Sequence, residues 1–179
     1  MKIKNRVITF VIVLMLLFVS LYCLSLYLYP KEYSEFVKLY ANEYGLDESL
    51  VYAIIKCESN FNSDAVSRAG AIGLMQITED TYKWATQKAD DKNIDKNMLY
   101  TPRVNIKYGC YIYSMFLNEF GVEETALACY NAGRGRVKSW LSNPTYSDDE
   151  KTLYNIPFKE TDNYVSKVLY TKKIYDLIY

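Results

Sequence analysis

One segment limits this chain more than any other. Residues 7–29 carry no charge, no proline and no glycine. As a helix the run spans roughly 35 Å, enough to cross a hydrocarbon core of about 30 Å with some tilt. Lys2, Lys4 and Arg6 precede it, so the positive-inside rule keeps the N-terminus in the cytoplasm and sends the rest outward. Tyr22, Tyr27 and Tyr29 fall near the outer end, where tyrosine suits the membrane interface. A cleaved signal peptide has a shorter apolar region and a small-residue exit. This run is longer and shows no Ala-x-Ala-like exit. Lipid attachment at Cys23 needs small residues before it, and Leu21 and Tyr22 stand there. The expectation is a single-pass protein of the cell membrane. It has a short cytoplasmic N-terminus (1–6), an uncleaved transmembrane anchor (7–29) and one extracytoplasmic domain (31–179).

The charge balance follows this division. The chain has 21 basic and 21 acidic residues, and no histidine. Setting aside Lys2, Lys4 and Arg6 leaves the outer part with a slight acidic surplus. A dedicated nucleic-acid binder carries a basic surplus, so no nucleic-acid partner is expected. The missing histidine excludes a Ser-His-Asp triad, a Cys-His pair and any histidine-ligated metal. Cys57, Cys110 and Cys129 show no metal-like spacing, so neither a metal nor another cofactor is expected. The three read as buried small apolar residues. One disulfide among them is the alternative in an oxidising compartment.

The outer part reads as helical throughout. A helix over 32–44 ends at Gly45, and Asp47 caps the next one. Leu50, Val51, Ala53, Ile54, Ile55 and Cys57 make that helix apolar on most sides, which places it centrally. A loop of small residues follows, from Asn60 to Gly73. Thr78 caps a helix to about Lys88. Residues 89–100 are polar and turn-like, with Asp90, Asp91, Asn93, Asp95 and Asn97. Thr101-Pro102 opens a helix to Phe120, stopped by Gly121. Further helices are predicted over 123–132, 135–141 and 159–178, with a polar loop at 142–156. No segment shows sustained strand alternation.

Glu58 closes the greasy helix. Taken alone it reads as a solvated helix-end carboxylate. The loop after it can wrap that carboxyl in polar contacts, because Gly70 and Gly73 allow close backbone approach. Gly73-Leu74-Met75-Gln76 then sets two apolar residues and an amide directly behind it.

Three blocks carry a resemblance. Glu58-Ser59 with Phe61, then Ala65, Ser67, Gly70-Ala71 and Gly73-Leu74-Met75-Gln76, resemble the catalytic signature of the soluble-lytic-transglycosylase (SLT) family. Ala128-Cys129-Tyr130-Asn131-Ala132-Gly133 is similar to that family's second block. Ile156-Pro157, Glu160-Thr161 and Tyr164-Val165 are similar to its third. Two departures stand out. Ile77-Thr78 replaces a common Ile-Met pair, and Cys129 replaces an alanine.

The resemblance implies an all-α, lysozyme-like (goose-type) domain behind the anchor. It implies cleavage of peptidoglycan strands between N-acetylmuramic acid and N-acetylglucosamine, closing a 1,6-anhydro ring. Glu58 would be the single acid/base. Ser67 and Gln76 would hold the sugar. Tyr130 would orient the glutamate or the reacting centre, and Asn131 would accompany it. Glu160 would contact sugar or peptide, and Tyr164 would stack on the cleft wall. Glycoside cleavage normally takes two carboxylates. One suffices when the substrate's own hydroxyl attacks with high effective molarity. Burial against Cys57, Leu74 and Met75 is expected to raise the pKa of Glu58.

Three other functions remain open. A hydrolytic muramidase would need a second carboxylate, with Asp64 the candidate. An idle glycan-binding scaffold would lack a working Glu58. A membrane assembly factor would act through the 19 tyrosines, which suit sugar stacking and protein interfaces alike. An anchor this close to the domain suits local remodelling, in company with an envelope-spanning or cell-wall machinery.

Overall fold

The computed structural model describes residues 2–91 and 95–179, with side chains from residue 4 onward. Asn93 of the predicted polar turn and the side chain of Lys2 lie outside the described set.

Helix α1 runs from Lys2 to Leu28 and stays exposed along its apolar length. It begins earlier than the uncharged run, because nothing before Val7 breaks a helix. Ser20 and Ser25 donate back to the carbonyls of Leu17 and Tyr22, at 2.8 and 2.7 Å. Those bonds hide the hydroxyls within an otherwise apolar surface. Among the described residues, α1 is the one helix long and apolar enough to cross a membrane.

Residues 29–33 join α1 to the domain without slack. The Tyr175 hydroxyl donates to the Pro30 carbonyl at 3.0 Å, and the Tyr179 hydroxyl donates to the Tyr29 carbonyl at 3.0 Å. The Tyr29 ring meets Tyr175 edge-on at 5.8 Å, and Tyr52 stacks on Tyr175 at 5.3 Å. Lys31 lies 4.3 Å from the centre of the Tyr179 ring.

Helix α2 (Ser34–Tyr44) starts two residues later than predicted, because Tyr33 adopts a left-handed φ of 56°. Helix α3 (Glu48–Glu58) is capped by Asp47, whose carboxylate accepts from the Ser49 N–H at 2.8 Å. Leu50 to Ile55 are all buried, as the apolar breadth requires. Helix α4 (Glu79–Lys88) is capped by Thr78. Within the predicted turn region, Lys96–Tyr100 forms a 3-10 turn capped by Asp95. Helix α5 (Pro102–Phe120) starts on its proline; the Thr101 side chain makes no capping bond. Helices α6 (Glu123–Ala132), α7 (Arg134–Leu141) and α8 (Lys159–Ile178) complete the domain. Between α7 and α8 the Asp149 carboxylate accepts from the N–H groups of Lys151 and Thr152, which pins an otherwise irregular stretch.

Helix α3 sits centrally, packed on α8 and α2; α5 reaches α2, α4 and α6. Among the described residues the domain has no strand, only isolated bridges joining Ile72 to Val66 and to Ile77. All four cysteines are free: Cys110 and Cys129 are buried, and Cys57 is half-buried.

Candidate active site

Helix α3 delivers Glu58 at its last turn, and the chain then reverses sharply. Asn60 and Phe61 both take left-handed backbone conformations, φ 51° and 66°. Two such residues in succession are held only where the surroundings over-determine them. Phe61 is buried and meets Tyr52. The Ser59 hydroxyl donates to the Leu74 carbonyl at 2.8 Å, which ties the returning loop to the end of α3.

That loop is fastened from behind by Asn105 of α5. Its amide donates to the carbonyls of Ile72 and Leu99, and its oxygen accepts from the Met75 N–H at 2.7 Å. On the other side of Met75, the Tyr130 hydroxyl donates to the Met75 carbonyl at 2.8 Å. One residue is thus gripped from two helices, at its N–H from α5 and at its carbonyl from α6. Gly73 is required by the approach: a Cβ there would lie 2.3 Å from the Asn105 amide nitrogen, and φ is +78°.

Glu58 is largely buried, and its pKa is pushed up to about 7. Desolvation is the main cause. The Tyr164 hydroxyl and the Lys167 ammonium pull the other way. The Tyr164 hydroxyl is buried and forms no complete hydrogen bond, although it is near enough to stabilise a Glu58 carboxylate. Burial and the Glu58 charge push the Tyr164 pKa well up.

Two cavities meet at Glu58, each of about 560 Å³. The first runs between α4, α5 and α6. Ser67, Gln76, Tyr130 and Asn131 line it, with Trp84 and Phe116 as stacked rings 6.1 Å apart. The second adjoins the first, with Tyr29, Lys56, Cys57 and Lys167 in its wall; Ser67 and Gln76 border both.

The predicted binding residues are partly committed within the loop. The Ser67 hydroxyl accepts from the Ala71 N–H, which leaves its proton free to donate. The Gln76 amide donates to the Ala65 and Gly73 carbonyls, which leaves its oxygen free to accept. The Asn131 oxygen accepts from Thr161 at 2.9 Å, so its amide N–H groups remain available. Glu160 is not brought into either cavity wall. It is exposed on the first turn of α8, and Thr161 is the buried member of that pair. Asp64 is exposed and lines neither cavity, whereas Asp80 is in the wall of the first. Trp84, Phe116 and Asp80 escaped the sequence reading, because rings at helical spacing look like core and a first-turn aspartate looks like a dipole partner.

Fold and site define a lysozyme-like helical domain with one buried glutamate at the junction of two cavities. Residues 35–153 match the family model of the transglycosylase SLT domain, and the chain belongs to that family. It is 33% identical over 144 residues to the soluble lytic murein transglycosylase of Escherichia coli K12, a match covering 79% of this chain and 22% of that protein. Against membrane-bound lytic murein transglycosylase C of Photorhabdus laumondii it is 32% identical over 151 residues, covering 79% of this chain and 41% of that protein. The chain thus spans well under half the length of these relatives. Among solved structures, an inactive mutant of Pseudomonas aeruginosa lytic transglycosylase Slt superposes with a TM-score of 0.73 at 34% identity. That superposition covers 83% of this chain and 24% of the other. A complex of a 70-kDa soluble lytic transglycosylase with bulgecin A gives a TM-score of 0.74 at 31% identity, covering 83% and 25%.

Proposed function

We propose that this chain is a membrane-anchored peptidoglycan lytic transglycosylase, with α1 as a single-pass anchor and residues 31–179 as an extracytoplasmic catalytic domain. The observation that carries this is Glu58, a carboxyl buried where two cavities meet, with a pKa of about 7. At neutral pH such a group both gives and takes a proton.

The reaction begins with a strand laid through both cavities. Protonated Glu58 gives its proton to the glycosidic oxygen as the bond from C1 of the muramyl ring breaks. The oxocarbenium-like centre faces the new carboxylate. Glu58 then takes the proton of the muramyl C6 hydroxyl while that oxygen bonds to C1. The 1,6-anhydro ring closes, the acid is restored and no water is consumed. Tyr164 supports the carboxylate form midway through the cycle. Tyr130 acts through Met75, holding the loop that carries Gln76. Ser67, Gln76 and Asn131 offer a free donor, a free acceptor and free donors to the sugar. Trp84 and Phe116 supply an apolar wall of the kind sugar rings stack on. Glu160, exposed, lies outside this set. The membrane-bound relatives and the apolar α1 support anchoring, and remodelling close to the membrane follows from it.

Mass spectrometry of digested muropeptides tests the reaction. Anhydro-muramyl ends support transglycosylation. Reducing ends alone would replace it with hydrolysis, for which Asp80 is then the carboxylate to examine.

A further inference from the structure

The two cavities differ in chemistry. The first is walled by rings, and its cation is already matched: Arg134 makes a bidentate pair with Glu119, at 2.7 and 2.8 Å. The second holds two cations with no such match. Lys56 donates to the Asn60 side chain and lies 5.6 Å from the centre of the Tyr29 ring. Lys167 donates weakly to the Cys57 carbonyl at 3.5 Å. Both ammonium groups act on Cys57, which shares that wall. Among the described residues neither lysine is ion-paired. Glu58 is the one carboxyl in that wall, and burial favours its neutral form. The second cavity is therefore cationic while Glu58 holds its proton.

An uncharged sugar gains little from two ammonium groups. A carboxylate gains a charge-assisted contact from each. We propose that this cavity is an anion subsite, where Lys56 and Lys167 take a free carboxylate of the peptide stem carried by the bound strand. The strand is thereby oriented, with neutral sugar rings over Trp84 and Phe116 and the charged appendage on the side of Tyr29. This inference rests on the peptidoglycan reading above and goes beyond it by naming what the substrate must carry. Lys56 and Lys167 are positioning residues, selective for charge.

The test uses the full chain in detergent and three glycan strands: with native stems, with stem carboxylates amidated, and with stems removed. The wild type should cleave native strands about tenfold better in kcat/KM than amidated ones, the scale of one charged contact. In the Lys56→Met/Lys167→Met variant that ratio should fall to about one, and Lys167→Arg should restore part of it. A ratio of one in the wild type, or an undiminished ratio in the double variant, overturns the proposal. A lysine that only tuned Glu58 would shift the pH profile equally on all three strands, which also overturns it. A fourth strand, amidated but ending in a lipid pyrophosphate, separates the other anion source: lysine-dependent preference for it overturns the stem assignment. Binding to Glu58→Gln is read in parallel. Lysine-dependent retention of native strands without cleavage by the wild type would sink the catalytic reading alone. Cleavage without preference would sink the subsite alone.

Discussion

At the scale of single residues the proposed reaction turns on one proton, that of Glu58. Glu58→Gln keeps the shape and removes the acid, so wall lysis should fall by about 10²–10⁴-fold, measured as turbidity loss of purified sacculi. The acid must be protonated to act, so kcat/KM should decline as pH rises through about 7. The same burial works against stability. A carboxyl whose folded pKa is raised carries no penalty below its ordinary pKa, and its full penalty above about 7. Glu58→Gln should therefore stabilise the domain at pH 8 by roughly 3 kcal/mol and have little effect at pH 4, read by denaturant unfolding. Tyr164→Phe removes a group that favours the charged form, so the alkaline limb should move to higher pH, a shift that loss of packing alone would not give. Glu58 was legible because a carboxylate followed by a small-residue loop and a buried apolar pair is chemically odd. The Tyr164 contact was not legible: on an amphipathic helix its ring reads as a wall or as core. Only the packing of α8 on α3 brings its hydroxyl to the acid.

At the scale of elements, caps and stops were written locally, and Asp47, Thr78, Pro102 and Gly121 act where the sequence puts them. Tyr33 and the 3-10 turn at Lys96–Tyr100 were not, since a left-handed tyrosine and a short turn depend on tertiary contacts. The loop of residues 60–77 is the element that makes the site. It has little regular structure and depends on the side chain of Asn105. Asn105→Ala would strand a buried N–H and two carbonyls and should cost about 3 kcal/mol in denaturant unfolding. Gly73→Ala should be at least as damaging, because its Cβ collides with that amide and with the Leu99 carbonyl. Asn105 could not be singled out beforehand: an amide inside a helix is ordinarily solvated, and nothing near it in sequence marks Met75 and Ile72, 30 and 33 residues away, as its partners.

At the scale of the whole molecule, the end of α1 is tied to the helical domain at Tyr29, Pro30, Tyr175 and Tyr179. A long flexible insertion after Pro30 should leave cleavage of purified sacculi within about twofold and alter muropeptide release in cells. Unchanged release would mean that tether length is not limiting. The sequence showed a short connection but not its rigidity, which comes from hydroxyls about 150 residues further along. The same α8 that ties down the end of α1 also closes over α3, and its Thr171 meets Cys57 across 114 residues of chain. Ribosomes deliver α1 first and α8 last among these helices. A half-made chain that lacks α8 has α3 unroofed, with Glu58 open to water and without the burial that raises its pKa. On the proposed function, lytic power arrives only once α8 has been made and packed, so an interrupted product should leave the wall uncut.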